Sequence, residues 1–262
     1  MILDLFKLDG KVAVVSGAGK GIGADIAIGL AEAGADVVAA ARTQADIDET
    51  VRQIEARGRK GLSVTCDVNS PEQLEALVAA ARERFGRIDI LVNNAGGSLP
   101  APALSISGTQ FDEIVHFNLT SAFLLTQLTV PHMVETAGAG VVVNISSGAS
   151  VLDVVGMAPY GAAKAGLNHL TNILAHELAP KVRINAVIVG MIRTPGAEHT
   201  LGEEILNMTA ANIPMARLGD VRDISAAVLY LASPASAWVT GRVIDVGGGA
   251  DTPPMRFPIA PL

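Results

Sequence analysis

The chain has 262 residues, half of them hydrophobic, a formal net charge of -7 and a single cysteine, Cys66. The acidic balance without a Lys/Arg cluster argues against nucleic acid or an anionic membrane as partner. Apolar runs broken by Gly, Asp or Asn argue against a membrane span, which needs about 18 uninterrupted apolar residues, and one cysteine excludes an internal disulfide and fits a reducing cytoplasm.

Met1 to Gly10 carries acidic residues inside a short apolar stretch and leads straight into a strand, so it does not read as a signal peptide. Val12 to Val15 is an unalternating apolar run, the pattern of a parallel strand buried on both faces. The turn Ser16-Gly17-Ala18-Gly19-Lys20-Gly21-Ile22-Gly23 follows. Gly17 suits a tight turn, Gly21 a close approach to a pyrophosphate, and Gly23 a helix lying tight on the sheet. A helix over 22–33 aims its N-terminal amides at that anion, and the strand Val37 to Ala41 completes a β-α-β unit.

An amphipathic helix over 43–57 presents Ile47, Val51 and Ile54, and a strand over 61–66 follows. Ser70 is a helix cap with Pro71 at the first position, and Leu74, Leu77, Val78 and Ala81 recur at helical spacing as far as Gly86. The strand 88–92 ends in Asn93-Asn94-Ala95-Gly96-Gly97. Residues 111–135 read as one helix, apolar nearly all round, with one side for the sheet and the other for a partner subunit. Then come a strand over 141–145, a helix over 158–179 and a strand over 182–189. An acidic, Met-containing excursion over 195–214 precedes a helix over 221–231 and a last strand over 243–246. The tail 251–262 is irregular, its prolines preventing a helix, and it either frays or lies over a neighbour. This alternation predicts an α/β chain: one doubly wound, Rossmann-type domain over 1–262 with a seven-stranded parallel sheet and helices on both faces.

Ligands of such sheets sit beyond the carboxyl ends of the strands. There Ser146 and Ser147 end the fifth strand, Tyr160 follows Ser147 by thirteen residues, and Lys164 stands one helical turn beyond Tyr160. Positions i and i+4 share a face, so phenol and ammonium can converge. A phenol of pKa about 10 is a poor base at neutral pH, and a nearby cation favours its phenolate. Tyr160 is therefore a candidate acid/base. The five histidines lack metal-ligand spacing, so no metal is expected.

Over about residues 8–250 the chain resembles the short-chain dehydrogenase/reductase family, on the Gly-x3-Gly-x-Gly turn, Asn93-Asn94-Ala95-Gly96, Asn118, Ser147, Tyr160 and Lys164. Its closest likeness is to 7α-hydroxysteroid dehydrogenase-like and 3-oxoacyl-carrier-protein reductase-like members. The resemblance implies that Ser147 polarises the substrate oxygen, Tyr160 is the acid/base, Lys164 binds ribose and tunes Tyr160, and Asn118 holds a water in a proton relay. It implies a cofactor groove of Ser16 to Gly23, Asp67 and Val68 at the adenine, Asn94, Ala95 and Gly96 along the adenosine side, and Gly190, Ile192 and Thr194 near the nicotinamide. The family's usual Pro-Gly after strand six is Val189-Gly190 here.

Enzymes of this fold that take NAD place Asp or Glu at the end of strand two, where this chain has Ala41 followed by Arg42 and Thr43. Arg42, Thr43 and Lys20 suit a 2'-phosphate, so NADP(H) is favoured over NAD(H). A lid over 194–215, with Leu201, Ile205, Leu206, Met208, Ile213 and Met215, is expected to line an apolar pocket for a hydrophobic alcohol or ketone. The alternatives are a 3-oxoacyl thioester reductase, a non-redox enzyme or a cofactor sensor on the same scaffold. A homo-oligomer, by the resemblance a tetramer, is expected.

Overall fold

The computed structural model of the chain describes residues 1–255, apart from the side chains of Pro195, His199, Thr200 and Leu201. Seven short apolar runs make one sheet: β1 (Val12–Ser16), β2 (Asp36–Ala41), β3 (Gly61–Thr65), β4 (Ile90–Asn93), β5 (Gly140–Ile145), β6 (Val182–Val189) and β7 (Arg242–Val246). Their order is β3-β2-β1-β4-β5-β6-β7, and every neighbouring pair is parallel. All five residues of β1 are buried, as expected of a strand with partners on both sides and helices on both faces.

The helices are α1 (Gly21–Glu32), α2 (Gln44–Glu55), α3 (Pro71–Phe85), α4 (Gly108–Val115), α5 (Ser121–Ala137), α6 (Ala158–Leu178), α7 (Pro195–Ala211) and α8 (Val221–Ala232). One face of the sheet is covered by α1, α2 and α8, through Ile26, Leu30, Ile47, Ile224 and Val228. The other is covered by α3, α5 and α6, through Leu74, Leu77, Leu125, Met133 and Ala175. Each fully buried side chain of this size contributes about 1.5–3 kcal/mol. No helix of the described residues is long and apolar enough to cross a membrane.

The strand order reverses between β1 and β4, so the loops after those strands part and leave a crevice at their carboxyl ends. Three buried polar side chains hold the far wall of that crevice. Asn93 donates to Asn144 Oδ1 at 2.8 Å, and Asn144 donates to Thr171 Oγ1 at 2.9 Å, which fastens β4 and β5 to α6.

Several expected boundaries change. The segment read as one helix over 111–135 begins at Gly108, where Ser107 and Gln110 form a capping box, and it is interrupted by a π-helical turn, His116–Thr120. The excursion over 195–214 is largely the helix α7, broken where Gly202 takes φ +75°. Thr194 caps it, its hydroxyl accepting from Ala197 N at 3.1 Å.

Candidate active site

The crevice holds a groove of about 590 Å³. Its floor is the glycine turn, where Gly17 (φ +67°) and Gly21 (φ +56°) take backbone angles that side chains disfavour. A Cβ on Gly17 would stand 2.7 Å from Asn94 Nδ2. The turn is clamped to the loop after β4 from both sides. Asn94 Nδ2 donates to Ser16 O at 3.0 Å and Gly17 O at 3.1 Å, while Ser16 Oγ accepts from Asn94 N and Ala95 N, each at 3.1 Å. Ser16 is thereby turned into the clamp and does not line the groove, unlike Gly17, Gly19, Lys20, Gly21, Ile22 and Gly23. The N-terminus of α1 opens on the same space, a favourable end of a helix for an anion.

At one rim Arg42 and Thr43 are exposed, and Arg42 makes no ion pair among the described residues. Lys20 differs, with its ammonium 3.1 Å from Asp46 Oδ2. Asp46 lines the groove and was not anticipated, although an acidic residue in the first turn of the helix after β2 is a legible signal. Asp67 and Val68 line the groove beside it. Cys66 lies there too, and burial pushes its thiol up to about 11, which leaves it an inert apolar side chain.

At the other end Ser147, Tyr160 and Lys164 come together. Lys164 is 3% exposed; its Nζ donates to Ile145 O at 2.8 Å and stands 5.9 Å from the centroid of the Tyr160 ring. Burial lowers the Lys164 ammonium to about 8. Burial raises the Tyr160 phenol, and the facing Ser147 hydroxyl draws it partly back. Ser146, the rival serine, directs its hydroxyl at Lys164 O, 3.5 Å away.

Gly96 lets this cluster close, since a Cβ there would stand 2.7 Å from Asn118 Oδ1 and 3.0 Å from Lys164 Nζ. Asn118 sits in the π turn, a feature common at functional sites. Its side chain is already engaged: Oδ1 accepts from Gly97 N at 2.8 Å, and Nδ2 donates to Gly97 O at 2.9 Å and Ile114 O at 3.0 Å. The amide latches the loop after β4, and Asn118 is not among the residues that line the groove. Ala95, Gly96, Gly190 and Thr194 line the groove, whereas Ile192 is buried beneath it, bridged to Gly219.

Ser147 and Tyr160 also line a second cavity, of about 150 Å³, on the far side of the cluster. Its wall is not the expected lid. Leu206 and Ile213 close on Leu218 in a small core of their own, and Ile205, Met208 and Met215 are exposed; the Leu201 side chain lies outside the described residues. Among the described residues, none of these apolar side chains lines this cavity. The cavity is lined instead by Leu152, Val154 and Met157, by Ile188 and Met191, and by Pro253 to Met255 at the start of the tail. The rest of the tail, residues 256–262, lies outside the described residues.

A family model described as enoyl-(acyl carrier protein) reductase matches residues 17–251. The chain is 44% identical over 263 residues to an uncharacterized oxidoreductase of Mycobacterium tuberculosis, covering all of both chains. It is 38% identical over 247 residues to 7α-hydroxysteroid dehydrogenase of Escherichia coli, covering 94% of this chain and 96% of that one. The chain belongs to the short-chain dehydrogenase/reductase family. Among solved structures, a 7α-hydroxysteroid dehydrogenase complexed with NADH and 7-oxo glycochenodeoxycholic acid superimposes with a TM-score of 0.90 at 37% identity, covering 95% of this chain and 97% of that one.

As a short-chain dehydrogenase/reductase the protein is an oxidoreductase of a family that uses NAD(P). Its groove fits such a dinucleotide on its own evidence. The bare glycine main chain faces the α1 N-terminus, and Lys164 is a buried ammonium with no carboxylate partner among the described residues, left with donors to spare.

Proposed function

We propose that the enzyme interconverts a hydrophobic secondary alcohol and its ketone with NADP(H), with Tyr160 as the acid/base. One observation carries the reading: Ser147 and Tyr160 line both the dinucleotide groove and the smaller cavity, so a substrate oxygen between them borders both. Hydride chemistry is what a bound nicotinamide supplies there. Tyr160 Oη gives its proton to the carbonyl oxygen during reduction and takes it back during oxidation. The Ser147 hydroxyl donates a hydrogen bond to the same oxygen as charge builds on it. Lys164 favours the phenolate and presents its remaining N–H groups to the ribose side of the groove. Asn118, through Gly97, keeps the facing loop in place and acts as a positioning residue.

The preference for NADP(H) is supported by Arg42, exposed at the rim where a carboxylate would otherwise meet the ribose. Leu152, Met157, Met191 and Met255 favour an apolar substrate body, methionines adapting to its shape. A homo-oligomer, by family likeness a tetramer, is supported by Phe111, Val134 and Ile173, exposed on α4, α5 and α6; light scattering of the purified protein tests it. The activity test is a panel of secondary alcohols and ketones with each nicotinamide, followed by absorbance. Turnover by the wild type and a loss of about 100-fold or more in Tyr160→Phe are expected. Equal turnover in the mutant removes Tyr160 from the mechanism.

A further inference from the structure

Asp245 stands apart on the wall of the smaller cavity, with its side chain also exposed to solvent. It lies on β7 opposite Ile188 of β6, so both side chains project to the same face of the sheet, and both line the cavity shared with Ser147 and Tyr160. Every other described residue of that wall is apolar or uncharged, and Asp245 makes no ion pair among the described residues. Its place is well defined. A Cβ on Gly247 would stand 2.7 Å from Asp245 Oδ1, and one on Gly190 would press into Gly247. Glycines at both positions let the carboxylate sit beside the end of β6. Partial desolvation raises the Asp245 carboxyl, and the Gly247 backbone N–H draws it partly back.

Among the described residues no cation faces this carboxylate, in a cavity that otherwise suits an apolar substrate. Its field extends over the whole of a space of about 150 Å³. We infer that Asp245 is the charge-selecting residue of the substrate cavity: it admits alcohols whose remainder is neutral or cationic and disfavours those that end in a carboxylate. The inference rests on the secondary-alcohol reading above. Repulsion across a cavity of this width, with partial solvent screening, amounts to a discrimination of about tenfold.

The test uses three probes on one ring: trans-4-hydroxycyclohexanecarboxylate, its methyl ester and its 2-(dimethylamino)ethyl amide. Binding to the full-length protein saturated with NADP+ is measured by calorimetry, and turnover by nicotinamide absorbance. For the wild type the carboxylate binds about tenfold or more weakly than the ester, and the cationic amide binds at least as well as the ester. Asp245→Asn brings the carboxylate-to-ester ratio to within about threefold, while Asp245→Glu, which keeps the charge, preserves the discrimination. A wild-type ratio near one overturns the inference, as does a ratio that Asp245→Asn leaves in place. Selective binding without turnover of any probe would sink the oxidoreductase reading and leave the charge selection standing. Turnover without selectivity would do the reverse.

Discussion

Lys164 Nζ donates to the Ile145 carbonyl at 2.8 Å while standing 5.9 Å from the centroid of the Tyr160 ring. The end of β5 thus holds the ammonium beside the phenol. Burial lowers Lys164 to about 8 and raises Tyr160, so the first of their two protons is lost near pH 8. The form that has lost one proton includes phenolate beside ammonium, the form needed for oxidation. Oxidative kcat/KM is therefore expected to rise about tenfold per pH unit below 8 and to level above it, and reductive kcat/KM to be level below and to fall above. In Lys164→Met the phenol keeps only its burial, which raises it, so the break should move upward. Initial rates from pH 6 to 10 in both directions decide it, and an unmoved break would show that Lys164 does not tune Tyr160.

Two cations that line the groove have different surroundings. Lys20 is 3.1 Å from Asp46 Oδ2, whereas Arg42 has no ion-pair partner among the described residues. Arg42→Ala is expected to weaken NADP+ by about 10- to 100-fold, one charge-assisted contact, with NAD+ nearly unaffected. Asp46→Asn releases Lys20 and removes a carboxylate from the groove, so it should strengthen NADP+ several-fold. Dissociation constants by fluorescence titration give both numbers. Equal losses for the two nicotinamides in Arg42→Ala would mean that Arg42 does not read the 2'-phosphate.

The strands are legible in the chain because buried parallel strands need continuous apolar runs, and Val12 to Val15 offers no other use for one. The meeting of Tyr160 and Lys164 is legible because helical spacing alone puts them on one face of α6, whereas Ser147 is legible through the family resemblance. Three features are not. A π turn leaves no periodic trace in a helix that is apolar all round, so His116–Thr120 is hidden. The family resemblance locates Asn118 but not the bonds of its amide, which depend on how closely Gly97 approaches. The apolar residues of 194–215 read as a pocket lining because hydrophobicity does not tell which neighbour covers it; Leu206 and Ile213 are covered by Leu218.

The Ser16 hydroxyl offers a test of the clamp beneath the glycine turn. It accepts from two backbone N–H groups, Asn94 and Ala95, and is 2% exposed. Ser16→Ala leaves both donors without that acceptor, a cost of about 1–3 kcal/mol. Since the clamp holds the floor of the groove and not the reacting atoms, the cost should appear as roughly tenfold weaker dinucleotide binding, with kcat changed little. Ser16→Thr keeps the oxygen and should restore affinity to within about threefold. Calorimetric titration checks this, and full affinity in Ser16→Ala would show that Asn94 Nδ2 alone suffices.

Stability against acid should depend on Asp89, at the opposite end of the sheet from the groove. Burial pushes its carboxyl up, but Arg87, the Val12 backbone N–H and Lys11 together outweigh that, and the carboxyl titrates below its ordinary value. Arg87 donates to it at 2.8 and 2.7 Å, Val12 N at 3.0 Å and Lys11 at 3.1 Å. A folded-state value below the unfolded one, about 3.9, means stabilisation that is fully present above about pH 5 and lost as pH falls through the folded value. Asp89→Asn keeps the shape and loses the charge, so at pH 7 it should cost about 1–3 kcal/mol in urea unfolding. The difference between the two proteins should shrink as pH drops from 5 toward 3, because the wild type then loses the same charge. A gap that stays constant over that window would assign the cost to packing instead of to the carboxylate.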